Sequence, residues 1–404
     1  MSRRSSFGYT SYRQSSYRSG GHRGHRRRLG RGMVIGIIIA VLILLSAAAV
    51  TVYFCFFRDR GQNKPDERSS AVSAPESSVP VSSEPPQTSE KQSSAPESSF
   101  DPDIEGYRDG NVFMYDRSGY EMFYGTDDSA ESYAKAVSEL KKAVGKDVNV
   151  YNMVAPNHAP FGLPEKYLSQ MNDERANIAK IYSSYTEDVI PVDVFDAEDT
   201  HKNEYTYFKT DHNWTVTGAY YAYRVFCDIA KTKPAELSSL TKGSITDFKG
   251  SLFVATRTDE NPDGNKELAN NPDTVVYYKI PFVESCILLE NGRSEEQEVP
   301  IIATFAEGSN AYSAFIWGNN PYMKVETTQK TGRKLCIIKD SYGCALAPFT
   351  TANFDEVFII DPAYYEGSAV DYIKNNKYTD VLVINSIMSA NTQFRVNDIM
   401  SVIN

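Results

Sequence analysis

Lys334-Leu335-Cys336-Ile337-Ile338-Lys339-Asp340-Ser341-Tyr342-Gly343 runs four apolar residues into a polar turn, and a helix is predicted to start near Ala345. Glu356–Ile360 and Asp380–Ile384 repeat the pattern as short apolar runs separated by helix-like stretches. Strands that are apolar throughout, rather than at alternate positions, belong to a parallel sheet covered on both faces. Further back, helical periodicity covers 129–145, 163–185 and 215–231, with short strands at 148–154 and 189–194. Residues 245–330 break this rhythm with Tyr, Thr, Pro, Gly and shorter alternating runs, which reads as a β-rich insertion. The expected fold is one α/β domain over 101–404, a parallel sheet flanked by helices and carrying that insertion.

A serine at a strand-to-helix turn stands at the carboxyl edge of such a sheet, where helix N–H groups can face an oxyanion. Ser341 is therefore a candidate nucleophile. The bland alternative is an ordinary turn in which Asp340 or Ser341 caps the helix. Acyl transfer by serine also needs an imidazole, commonly oriented by a carboxylate. Tyr207-Phe208-Lys209-Thr210-Asp211-His212-Asn213-Trp214-Thr215 offers Asp211 and His212 beside aromatic residues. Here too Asp211 or Thr215 could simply cap the next helix, with Trp214 in the core. Beyond residue 100 the histidines are His158, His201 and His212, so a mechanism needing imidazole must choose among three.

The chain is 404 residues long, with 41% hydrophobic and 23% charged residues, which excludes a disordered polyelectrolyte and a polytopic transporter. Its net charge of −10 is unevenly spread. Residues 1–57 carry nine arginines and no acidic residue, and the other 347 hold 33 basic and 52 acidic side chains, a balance of −19. Residues 33–57 contain no charged group, enough for one helix across a hydrocarbon layer of ~30 Å. Flanking arginines place residues 1–32 in the cytoplasm as a basic disordered tail and the remainder outside. The other reading is a cleaved signal peptide at Ser46-Ala47-Ala48-Ala49, which would leave an apolar new N-terminus. The arginines suit anionic lipid rather than nucleic acid. Residues 58–100 read as a disordered extracellular linker: Ser69 to Ser99 holds twelve Ser and five Pro and repeats Ser-Ala-Pro-Glu-Ser-Ser. Cys227, Cys286, Cys336 and Cys344 form neither a disulfide framework nor a metal-ligand spacing, so no metal or other cofactor is expected.

Together the two polar segments resemble a family. Phe208 to Thr215, followed by Gly218-Ala219-Tyr220-Tyr221-Ala222-Tyr223, resembles the signature of the bacterial DHHW proteins. Leu335 to Tyr342, Pro348-Phe349 and Phe354 to Asp361 are similar to that family's other shared stretch, as are Gly250-Ser251-Leu252 and Gly318-Asn319-Asn320-Pro321. DHHW proteins are in turn similar to the SGNH-hydrolase-like domains of alginate O-acetylation proteins. The resemblance implies a membrane-anchored extracellular serine O-acetyltransferase or esterase on a cell-surface polysaccharide, beside a membrane-bound O-acyltransferase. It makes Ser341 the nucleophile, Asp211 the orienting carboxylate and Asn385 an oxyanion donor, with Asn319 and Asn320 as rivals. The related Asp-x-His-Trp pattern puts its histidine where this chain has Asn213. Either His212 takes the role, His158 substitutes for it, or the site is catalytically silent and the protein is a glycan-binding or assembly subunit using Trp214 and tyrosines as a sugar platform. The acidic balance favours a neutral or weakly charged glycan.

Overall fold

The computed structural model describes residues 100–101 and 103–403. The expected tail, span and nearly all of the linker lie outside the described residues. Among those described, no helix is long and apolar enough to cross a membrane.

The first strands, β1 (Tyr107–Asp109), β2 (Val112–Tyr115) and β3 (Ser118–Tyr120), make a small antiparallel sheet. Helix α1 (Asp127–Val144) begins at a reciprocal cap in which Thr126 accepts from the Ser129 N–H and the Ser129 hydroxyl accepts from the Thr126 N–H. Asp127 and Asp128 in its first turn and Lys141 and Lys142 in its last complement the helix dipole. Strand β4 (Asn149–Ala155), helix α2 (Glu174–Ser183), strand β5 (Val189–Val192) and helix α3 (Val216–Ala230) follow. The helical pattern over 163–185 is broken because Asp173 accepts from the Ala176 N–H, starting α2 afresh at Glu174.

Strand β6 (Thr241–Phe248), helix α4 (Ser251–Ala255) and strand β7 (Asp273–Lys279) occupy the first part of the expected insertion, where β6 and β7 form a separate two-stranded sheet. Strands β8 (Val283–Leu289), β9 (Glu296–Glu298) and β10 (Tyr322–Thr327) instead join the large sheet. The chain then runs through β11 (Lys334–Lys339), helix α5 (Tyr342–Thr350), β12 (Glu356–Ile360), helix α6 (Ala369–Asn375), β13 (Asp380–Ser386) and helix α7 (Gln393–Ser401), and the three strands join the large sheet. Its order is β5-β4-β13-β11-β12-β10-β8-β9, parallel from β5 to β12 and antiparallel beyond. The sheet is therefore mixed rather than wholly parallel. The antiparallel strands lie at its edge, where partly exposed positions such as Tyr322 and Lys324 interrupt the apolar run.

Strand β11 lies between β13 and β12 and shows why its sequence is apolar throughout. Leu335 and Ile337 enter a core with α3 and α5, while Cys336 and Ile338 enter a second core with α1, α6 and α7. Every described cysteine is buried and unpaired. Burial pushes the Cys286 thiol up to about 12 and raises those of Cys227, Cys336 and Cys344 as well.

Candidate active site

Strand β11 ends at Lys339, and both Lys339 and the Asp340 that follows it are buried. The Asp340 carboxylate accepts from the Tyr342 N–H at 3.0 Å and the Ser386 N–H at 2.8 Å, tying the turn to the end of β13. This cap starts α5 at Tyr342, three residues ahead of Ala345. Ser341 stands at the N-cap position, but its hydroxyl caps nothing. Tyr312 donates to the Ser341 carbonyl at 3.1 Å. No acceptor among the described residues takes the Ser341 N–H.

The segment before α3 is fastened from below. Asp273, on β7, accepts from the N–H groups of Lys209 and Thr210 and from the Thr210 and Tyr205 hydroxyls. The Thr210 hydroxyl in turn accepts from the Gly250 N–H at 3.0 Å. A Cβ on Gly250 would fall 2.3 Å from the Asp211 Cβ, so this close approach requires glycine. Thr215 caps α3 through the Thr217 N–H. Trp214 is fully buried and donates its indole N–H to the Tyr342 carbonyl at 2.9 Å, locking this segment against the Ser341 turn. A ring without an exposed face offers a sugar no stacking surface, and Trp214 forms a wall beneath the site.

These attachments bring His212 to Ser341, with Nε2 3.3 Å from the serine Oγ. The other ring nitrogen, Nδ1, is 2.5 Å from the Ser251 Oγ on α4, and that oxygen also accepts the His212 backbone N–H at 3.2 Å. The Tyr342 hydroxyl donates to the His212 carbonyl at 2.5 Å. Asp211 faces elsewhere. One of its oxygens accepts from the Asn213 N–H at 2.9 Å and side-chain amide at 2.7 Å, and the other accepts from the Ser251 N–H at 2.7 Å. The carboxylate therefore reaches the imidazole only through Ser251.

Asn385 turns toward α1, where its amide oxygen accepts from the Tyr133 hydroxyl at 2.8 Å. The Asn319 oxygen accepts from the buried Lys339 ammonium at 2.7 Å, and the Asn320 oxygen accepts from the Asn291 N–H at 3.0 Å. His158 lies apart, stacked on Tyr207 and tilted against Tyr120 at centroid separations of 5.1 and 4.6 Å. Burial lowers its imidazole to about 3. Glu121, just after β3, feels the charges of His212, Asp211 and Asp340. Burial raises its carboxyl and the imidazole opposes that rise. Ser251, Tyr312 and Glu121 also face the site, and of the three only Ser251 is marked in the sequence, by the Gly250-Ser251-Leu252 stretch. Among the described residues no cluster of three or more His, Cys, Asp or Glu side chains could hold a metal ion.

The fold and this arrangement define a mixed α/β protein with a serine and an imidazole meeting at the carboxyl edge of a large sheet. The chain belongs to the DHHW protein family, whose pattern it matches over residues 99–360. A crystal structure of a DHHW family protein from Eubacterium siraeum is 34% identical, with a TM-score of 0.66 over 73% of this chain and 97% of that one. Bacillus cereus PatB1, solved with a sulfonyl adduct, is 18% identical, with a TM-score of 0.57 over 72% of this chain and 97% of that one. It shares the fold. No curated protein sequence matches the chain.

Proposed function

We propose that this protein is a serine-dependent O-acetyltransferase or esterase acting on a cell-surface polysaccharide. In this reading residues 33–57 anchor it in the membrane lipid, the domain from 101 lies outside, and a membrane-bound O-acyltransferase supplies its acyl groups. The observation that carries the proposal is the 3.3 Å approach of His212 Nε2 to Ser341 Oγ. Nε2 would take the Ser341 proton as Oγ bonds to the acyl carbon, then return it to the departing alcohol oxygen. An acceptor hydroxyl, from sugar or water, would give its proton to Nε2 as it attacks the acyl carbon, and Nε2 would pass that proton to Oγ as the acyl–Oγ bond breaks and frees Ser341. The unclaimed Ser341 N–H is available to the oxyanion formed in each step. PatB1 supports this use of the fold, because its sulfonyl adduct is what a reactive nucleophile yields. Purified protein should release acetate from an activated ester, and Ser341→Ala should abolish that release. Equal rates in the two proteins would reject the enzyme.

A second reading has its own support: His212 Nδ1 meets a hydroxyl rather than a carboxylate, and Asn213 holds the position before Trp214. A catalytically silent glycan-binding or assembly subunit would show no Ser341-dependent turnover, yet would give a saturable isotherm with wall polysaccharides. A flat isotherm would remove that alternative.

A further inference from the structure

We infer that Ser251 is the positioning residue of this site: its hydroxyl holds the Nδ1 edge of His212, and Asp211 acts one bond network further out by fixing the Ser251 backbone. The inference rests on the Ser341–His212 reading above and adds which residue sets the state of the imidazole. Three contacts carry it. The Ser251 Oγ is 2.5 Å from Nδ1, the same oxygen accepts the His212 N–H at 3.2 Å, and the Ser251 N–H donates to Asp211 at 2.7 Å. Both Asp211 oxygens are already engaged, one by Asn213 and one by Ser251, so the carboxylate does not orient the ring directly.

The catalytic reading requires the ring proton on Nδ1, where the Ser251 hydroxyl can accept it. A neutral imidazole has one N–H, and only an unprotonated Nε2 can accept from Ser341. Nδ1 must then be the donor and the Ser251 Oγ its acceptor. In that state the Ser251 oxygen receives both the ring N–H and the backbone N–H of one residue, which holds the ring plane and favours the Nδ1–H tautomer. A neutral hydroxyl stabilises the imidazolium less than a carboxylate would, because hydrogen bonds to ionised partners are roughly twice as strong. The arrangement therefore orients the base while leaving its charge largely uncompensated at Nδ1.

Two measurements on the intact protein test this. The first is the nitrogen-15 spectrum of labelled histidine, which reports the tautomer of His212. The second is the rate at which phenylmethanesulfonyl fluoride labels Ser341 across pH. Wild type should carry its proton on Nδ1, and Ser251→Ala should give a mixture of tautomers. The same change should slow labelling by on the order of a hundredfold and alter its pH profile. Ser251→Thr, which keeps the hydroxyl, should restore both readouts, a rescue that loss of folding would not show. A wild-type proton on Nε2 overturns the inference, as does Ser251→Ala with an unchanged tautomer and labelling rate. If Ser341 is neither labelled nor active while Ser251→Ala still mixes the tautomers, the role of Ser251 stands and the enzyme reading falls.

Discussion

His212 and His158 stand on two loops of the same domain, and both are packed against tyrosines, yet their surroundings prepare them for opposite tasks. His212 has a hydroxyl at each ring nitrogen, Ser341 at Nε2 and Ser251 at Nδ1. His158 is sealed between two tyrosine rings and its Nδ1 has no partner. Two carboxyls, Glu174 and Glu198, are likewise buried, and three of their oxygens lack a partner among the described residues. Burial pushes both up to about 8. The difference is one of hydrogen bonding rather than of residue type. An imidazole with polar partners on both sides can exchange a proton, whereas one buried among rings is kept neutral.

The contrast is broken most sharply at the rings themselves. His212→Ala should lower Ser341-dependent ester cleavage by roughly 10²- to 10⁴-fold, the range of a lost general base. His158→Phe keeps a ring between Tyr120 and Tyr207 and should leave that rate close to wild type. Steady-state kinetics on the two variants decides between them, and a loss in both would merge the regions.

Proton linkage gives the next largest effects. Between pH about 4.5 and about 8, Glu174 and Glu198 hold their protons in the folded chain and release them in the unfolded one. Their share of stability is whole below that window and lost above it. Each changes stability by up to about 1.4 kcal/mol per pH unit within it. Glu174→Gln with Glu198→Gln should flatten that loss in urea denaturation series run from pH 5 to 8. His158 has the opposite sign, since its folded value is lowered from 6.5 to about 3. Its contribution is complete above pH 6.5 and declines as pH falls toward 3. His158→Phe should remove this acid-side decline in the same denaturation assay.

The smallest expected effect is at Asn213, which is buried and already committed to Asp211 through both its backbone and its amide. Asn213→His supplies the histidine of the related Asp-x-His-Trp pattern but inserts a larger ring into a filled space. A stability loss of about 1–3 kcal/mol is expected. The rate should not rise, because Nε2 of His212 already occupies the approach to Ser341. A faster enzyme would show that the two positions compete for the serine.

The extent to which the sequence foretells these features follows from their range along the chain. Strands β11, β12 and β13 are readable because burial on both faces demands unbroken apolar runs, and Leu335 to Ile338 feed two cores at once. The antiparallel half is harder, because β10 alternates between buried and partly exposed residues and its partner β8 is 33 residues or more upstream in pairing. Ser341, His212 and Asp211 stand out as residue types in a shared pattern. Their directions do not, since His212 alone reaches Ser341 while the adjacent Asp211 and Asn213 turn to each other. Ser251 is 39 residues from His212 and enters only because Gly250 lets the two backbones close together.

The buried thiols of Cys227, Cys286, Cys336 and Cys344 have a practical consequence. None is tied to another, so the fold of the described domain needs no covalent cross-link and should form equally well under reducing and oxidising conditions. Each thiol is masked until the segment around it opens. Cys336 lies at the centre of the sheet and Cys286 nearer its edge, so their labelling by a thiol reagent would time two different openings, a slow global clock and a faster local one.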